Sequence, residues 1–187
     1  MPIRPRELFR DLEFSLPSAT PVGRPCPDKF GGMPDARENA TILRMSWVAT
    51  IRRGSEEDVP AIESIVRAAY QHYIPRIGKP PGPMTDNYRA QVASGNVWVL
   101  LLDHEIVGLV VLVPEPDYML LENLAVAPEK QRLGFGRRLI EFAEARARQC
   151  GYKKMHLYTN ELMHENLAWY SRLGPLAGSI RAFSGCS

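Results

Sequence analysis

One stretch of this 187-residue chain leaves little freedom in what can surround it. Residues 121–136 read Leu-Glu-Asn-Leu-Ala-Val-Ala-Pro-Glu-Lys-Gln-Arg-Leu-Gly-Phe-Gly: an apolar run, a turn marked by proline, then two glycines at the start of a helical pattern. Gly134 and Gly136 lack Cβ atoms, so the backbone there can take unusual φ and approach a ligand closely. Amides that open a helix have no i−4 carbonyl, and the helix dipole adds partial positive charge to them. Arg132, Arg137 and Arg138 strengthen that charge, and the segment is predicted to hold a phosphate. The familiar nucleotide loops do not account for it. A Walker A loop needs Gly-Lys-Ser/Thr after its second glycine, whereas Arg137-Arg138 follows Gly136; a dinucleotide fingerprint needs glycine at position 139, which is Leu.

The flanking patterns supply the elements this segment must join. Trp47–Arg52 alternates as a short strand. Asp58 is the predicted N-cap of a helix through Tyr70, with Val59, Ile62, Ile65, Val66 and Ala69 on one stripe and Pro60 in the first turn. The rival start is a capping box from Ser55 to Asp58. Residues 71–84 read as a proline-rich loop, and Thr85–Ser94 as a short helix stopped by Gly95. Val97–Leu102 and Glu105–Val113, joined by Asp103-His104, read as a hairpin. Tyr118–Val126 is apolar on both faces, as a central strand is. A helix from about Gly136 to Cys150 buries Leu139, Ile140, Ala143, Ala147 and Cys150, and Gly151 stops it. Met155–Thr159 is a further strand and His164–Arg172 a last helix. The order β–α–α–β–β–β–α–β–α predicts an α/β fold with a mixed sheet flanked by helices.

Composition sets the limits of that unit. Seven of the sixteen prolines (Pro2, Pro5, Pro17, Pro21, Pro25, Pro27, Pro34) precede residue 46, in a stretch without a sustained apolar period. Residues 1–45 are therefore expected to be a poorly ordered extension, with Met33 or Met45 as an alternative start. Residues 46–174 form the predicted domain, and residues 175–187, rich in Gly and Ser, an irregular tail. The net charge of +2 gives no field that demands nucleic acid, and no apolar run approaches the roughly 18 residues of a membrane span. No apolar leader is visible, and a cytoplasmic location is expected. Cys26, Cys150 and Cys186 form no metal motif, and His72, His104, His156 and His164 show no ligand spacing, so no metal is expected.

Wider spacing narrows the phosphate prediction. Gln131-Arg132-Leu133-Gly134-Phe135-Gly136 resembles the Q/R-x-x-G-x-G/A signature of the GNAT superfamily of acetyl-CoA-dependent N-acetyltransferases. Residues 122–128 before it and Asn166–Gly174 after it resemble that family's flanking segments, so the likeness covers roughly residues 48–174. It implies a three-layer GNAT-like fold with acetyl-CoA as co-substrate. The CoA pyrophosphate would lie on the loop Gln131, Arg132, Leu133, Gly134, Phe135, Gly136 and Arg137. The pantetheine arm would run along Leu124, Ala125 and Val126, an arm bonding to an opened strand edge.

The likeness also assigns chemistry. Glu122, which interrupts an apolar strand, becomes the candidate base, since desolvation favours a carboxyl group that accepts protons. Its alternative is a carboxylate held by a neighbouring backbone or arginine, with no part in turnover. Tyr170 becomes the candidate general acid, against the alternative of a core aromatic beside Trp169. Asn166 is the candidate contact to pantetheine or thioester, but it lies four residues before Tyr170, whereas the family pattern N-x-x-A-x-x-x-Y would put the asparagine at position 163, which is Met, and Asn160 competes. The loop Tyr70–Met84 is expected to face the acceptor, an amine on a small molecule or a peptide. Family members continue past Leu173-Gly174 with two more strands, which residues 175–187 are too short to form. The missing hairpin would leave a sheet edge open, inviting a homodimer, and it keeps a second reading alive: a CoA-binding module without turnover.

Overall fold

The computed structural model describes residues 9–16, 49–172 and 180–181. Seven strands form one sheet: β1 (Phe9–Ser15), β2 (Ala49–Arg53), β3 (Val97–Leu102), β4 (Glu105–Pro114), β5 (Met119–Val126), β6 (Lys154–Asn160) and β7 (Ile180–Arg181). Their spatial order is β2-β3-β4-β5-β6-β1-β7. Every pair is antiparallel except β5 and β6, which run parallel and need the crossover helix α4 (Phe135–Gln149) between them. Asp103 and His104 both take positive φ (49° and 72°), which suits the tight two-residue turn read from the sequence.

Helices cover both faces. One core packs Leu139, Ile140, Ala143 and Ala147 of α4 against Leu100, Val110, Leu112, Leu121 and Leu157. The other packs Ile62, Ile65 and Val66 of α1 (Val59–Tyr70), with Tyr88 at the start of α3 (Tyr88–Ala93), against Val97, Val99, Leu109 and Val111. Strands buried on both faces explain the near-continuous apolar runs in the sequence. The α/β expectation is met.

Local starts and ends differ from the sequence reading in instructive ways. Helix α1 begins after Asp58 with Pro60 in its first turn, yet the Asp58 carboxylate does not cap it. It accepts instead from the Ser55 amide (2.7 Å) and hydroxyl (2.9 Å) and from Arg52 (2.6 and 2.9 Å), so the Ser55 box, ranked second, is the one that forms. The 71–84 loop is not irregular: it holds one-turn 3₁₀ helices at Gln71–Tyr73 and Gly82–Met84 and the short α2 (Ile74–Ile77), the last two with proline in the first turn, where its missing N–H costs nothing.

The chain ends contribute strands that periodicity missed. Phe9–Ser15 lies inside the stretch expected to be poorly ordered, and it pairs with β6 over its whole length, from Phe9↔Asn160 to Ser15↔Lys154. Leu12 and Leu16 are buried. The edge expected to stand open beside residues 155–159 is therefore covered, and the homodimer expected to close it loses that premise. Ile180–Arg181 pairs with β1 on the far side, and residues 175–179 and 182–187 of the predicted tail lie outside the described residues. Among the described residues no helix is long and apolar enough to cross a membrane.

Candidate active site

The site begins where β5 and β6 part. Their ladder runs only from Met119↔Met155 to Leu121↔Leu157, which leaves Glu122–Val126 without a strand partner on that side. On its other side β5 stays paired with β4, but the register slips: Leu112 faces Leu121 and Val111 faces Asn123. Glu122 is the extra residue of this bulge. The slip is visible in the packing. Met119 and Leu121 face the α4 core, Ala125 faces the α1 core, and Leu124 returns to the α4 side. Bulges re-aim a side chain at the cost of one ladder position, and here the re-aimed group is the only acid of the strand.

Glu122 is half-buried and held by Gln91 of α3, whose Nε2 donates to its Oε2 at 2.5 Å. Asn96 fixes that amide in turn, its Nδ2 donating to Gln91 Oε1 at 3.0 Å, while its carbonyl accepts the Leu112 amide (2.9 Å) at the register slip. One contact of the carboxylate is thus a neutral side-chain amide.

Beside it runs a buried polar chain. Tyr70 Oη donates to Asn123 Oδ1 (2.7 Å) and lies 3.2 Å from the Leu124 carbonyl; Asn123 Nδ2 donates to Tyr88 Oη (2.9 Å), which donates to the Pro83 carbonyl (2.8 Å). Burial pushes the Tyr70 and Tyr88 phenols up, so both stay protonated. Every member is satisfied, which makes the chain a rigid floor rather than a penalty.

A cavity of about 470 Å³ sits in the split. Glu122 and Leu124 line it from β5, Asn160 from β6, and Asn166 and Tyr170 from α5 (His164–Ser171). Proline-rich residues 80–83 and Asp86 close the far side. Burial holds the Tyr170 hydroxyl protonated well past neutrality. Asn166 Oδ1 accepts from Tyr73 Oη at 3.3 Å, and Asn160 Oδ1 accepts the Leu162 amide at 2.9 Å, so Asn160 serves the turn into α5. Arg76 forks onto Glu165 (2.8 and 3.0 Å) and reaches the Leu162 carbonyl (3.0 Å), pinning α2 against the start of α5; that guanidinium lowers the Glu165 carboxyl to about 2.

The glycine loop stands outside the cavity, at the other end of the open β5 edge. Gly134 takes φ 89° as the residue before α4, and Arg132 takes φ 64°. A Cβ on Gly134 would meet nothing within 4 Å, so its surface is open, and Leu133 is 64% exposed. Arg138 N–H bonds the Gly134 carbonyl (3.1 Å), and the amides before it open the helix. Gln131 turns its amide back to the Val126 carbonyl at 3.1 Å. Arg137 pairs with Glu141 (2.9 Å) and Arg138 donates to the Ala49 carbonyl, so Arg132 is the member of the trio whose guanidinium has no partner among the described residues. Gly136 answers a different need: a Cβ there would come within 3.0 Å of Trp169 Cζ2, and the Trp169 ring stacks 5.0 Å from Tyr170. Phe135 and Ala125 are buried and pack inward.

The sequence-predicted residues are therefore divided. Glu122, Leu124, Asn166 and Tyr170 meet around one cavity, Ala125 and Val126 are buried further along β5, and Gln131–Gly134 with the first turn of α4 (Phe135, Gly136, Arg137) form a separate segment. Gln91, Asn123 and Tyr88 were missed, because no local spacing links residues 88–91 to residues 122–123.

Comparison with known proteins agrees with this geometry. The profile of the Acetyltransferase (GNAT) family matches residues 59–174. Mouse N-alpha-acetyltransferase 80 is 40% identical over 63 residues, 34% of this chain and 19% of that protein, so the likeness spans about a fifth of its length. The Escherichia coli protein named uncharacterized N-acetyltransferase YjgM is 28% identical over 133 residues, 66% of this chain and 80% of that one. PaiA N-acetyltransferase from Thermoplasma acidophilum, solved in complex with coenzyme A, superposes with a TM-score of 0.58 at 16% identity, over 67% of this chain and 88% of that one, and shows the same fold. Since the matched profile runs from the first residue of α1 past the tyrosine of α5, this chain belongs to the GNAT family of acetyltransferases.

Proposed function

We propose that this chain is an N-acetyltransferase that moves the acetyl group of acetyl-CoA to a primary amine by direct attack within a ternary complex. The observation that carries it is the meeting of Glu122, Tyr170 and the open Leu124 edge in one cavity. Acetyl-CoA supplies the activated acyl group when bound. The amides of Arg132–Arg137 would hold its pyrophosphate, with Arg132 as the nearby cation, and the edge Leu124–Val126 would take the pantetheine amides. The open surface over Gly134 and the unpaired stretch of β5 both fit such a ligand.

Glu122 acts as base, taking a proton from the ammonium form of the acceptor so that the nitrogen lone pair is free. The Leu124 N–H donates to the thioester oxygen as charge develops there. Tyr170, kept protonated by burial, gives its proton to the departing sulfur. Asn166 steadies the acyl end of the arm. Residues 46–174 would form the catalytic unit. The acceptor is an amine of a small molecule or a peptide, and the enzyme works away from membranes and nucleic acid, without a metal.

Calorimetry with acetyl-CoA, followed by thiol release over a panel of amines, tests the assignment. Binding with amine-dependent thiol release is the expected result. Binding without release for any amine would leave a CoA-binding module, and absence of binding would remove both readings.

A further inference from the structure

Tyr158, Thr159 and Asn160 line the cavity, yet they sit beyond the point where β6 leaves β5. Their strand partners are Asp11, Arg10 and Phe9 of β1. We infer that β1, which precedes the family-matched span, is a working part of the active site: it is the strand that holds the β6 wall of the acceptor cavity in place. The inference rests on reading that cavity as the acceptor site.

Three observations carry it. First, a strand freed on one edge and unpaired on the other has no ladder to define its position, and residues 158–160 would be in that state without β1. Second, the pairing is anchored directly beside the wall, along residues 153–157. Leu12 is 2% exposed within the α4-side core, and the Leu16 amide donates to the Lys153 carbonyl at 2.9 Å. Glu13 lies 3.0 Å from Lys154 Nζ and 3.4 Å from His156 Nε2, which favours this register over a slipped one. Third, the rest of the cavity has its own support. The Tyr70–Asn123–Tyr88 chain holds the floor, and Arg76–Glu165 holds α5, but neither reaches β6. Loss of β1 would loosen one wall and leave the CoA loop at residues 131–137 untouched. The expected signature is therefore a defect in acceptor use, with acetyl-CoA binding retained.

The register gives a direct test. Glu13 faces His156, both are partly exposed, and directly opposed residues of an antiparallel pair have Cα atoms about 4.5–5.5 Å apart, within disulfide range. In the full chain with Cys26, Cys150 and Cys186 changed to Ser, Glu13→Cys with His156→Cys should close a disulfide within one chain on mild oxidation, read by peptide mass mapping. Those amides of residues 158–160 that face β1 should exchange slowly in the unmodified protein. Leu12→Pro, which cannot sit in an internal strand, should speed that exchange, raise the acceptor KM at least tenfold and leave acetyl-CoA affinity within twofold. If Leu12→Pro fails to fold, the disulfide and the exchange of the unmodified protein still decide. A disulfide joining two chains would mean that a second copy supplies the strand, and would overturn the inference. So would the absence of a disulfide together with fast exchange at 158–160. Disulfide and protection with no transfer to any amine would instead overturn the proposed function and leave the strand assignment standing.

Discussion

Gln91 lies away from the proposed reacting atoms yet holds the carboxylate proposed as base. Its amide donates to Glu122, and a donor to a carboxylate favours the charged form. Removing it in Gln91→Leu should raise the Glu122 pKa, moving the acid limb of kcat/KM to higher pH, with acetyl-CoA affinity unchanged. Gln91→Glu should move that limb further, because a second carboxylate at this distance resists ionisation of the first. Glu122→Gln should abolish the limb and lower kcat by about 10²–10⁴, the usual contribution of a positioned base. A pH–rate profile of the three variants checks the order. If all three profiles coincide with the unmodified protein, Glu122 is a structural acid and proton removal belongs to another group.

At the scale of elements, the bulged strand and the two helices that floor it form one unit. Asn123 satisfies Tyr70 and Tyr88 together, both buried. Asn123→Leu removes one hydrogen bond from each phenol, while the Leu124 and Pro83 carbonyls remain as acceptors, and should cost about 2 kcal/mol at roughly 1 per bond. For a chain of this size that lowers Tm by roughly 4–8 °C, measurable by calorimetry. The glycine-loop helix, both buried-strand runs and the hairpin turn were legible because each rests on local spacing: period, caps and positive-φ residues. The bulge was not. Glu122-Asn123 reads as a polar interruption of an apolar strand, and only the neighbours on β4 reveal that one position is skipped. Gly136 was legible as a glycine but not for its reason, since Trp169 lies 33 positions away and packs over it. The N-terminal strand escaped notice for a similar cause: its seven residues stand among prolines, and the pairing that orders them comes from β6, far along the chain.

For the whole molecule, two carboxylates shifted in opposite directions shape how stability follows pH. Asp58 is held well below the usual range, first by its hydrogen bonds from Arg52, which outweigh the opposing effect of burial, and further by those from Ser55. A depressed acid adds stability above its unfolded value near 3.9 and loses it as pH falls. Glu144 is the reverse case. It is 2% exposed on the inner side of α4, Oε1 has no hydrogen-bond partner, and Arg148 stands 3.6 Å from Oε2. Burial raises its pKa despite Arg148, so the folded state prefers the neutral acid. Its burden is absent below the unfolded value near 4.3 and grows as pH rises through the raised folded one. Glu144→Gln should therefore raise Tm at pH 8, with the gain shrinking to nothing near pH 4. Asp58→Asn should lower Tm above pH 5, with the loss fading as the solution is acidified below about 4, where the unfolded acid also protonates. Melting curves of both variants and the unmodified chain across pH 3–8 give two difference curves that must slope in these senses. A flat difference for Glu144→Gln would mean that a proton or partner already neutralises that site throughout the range.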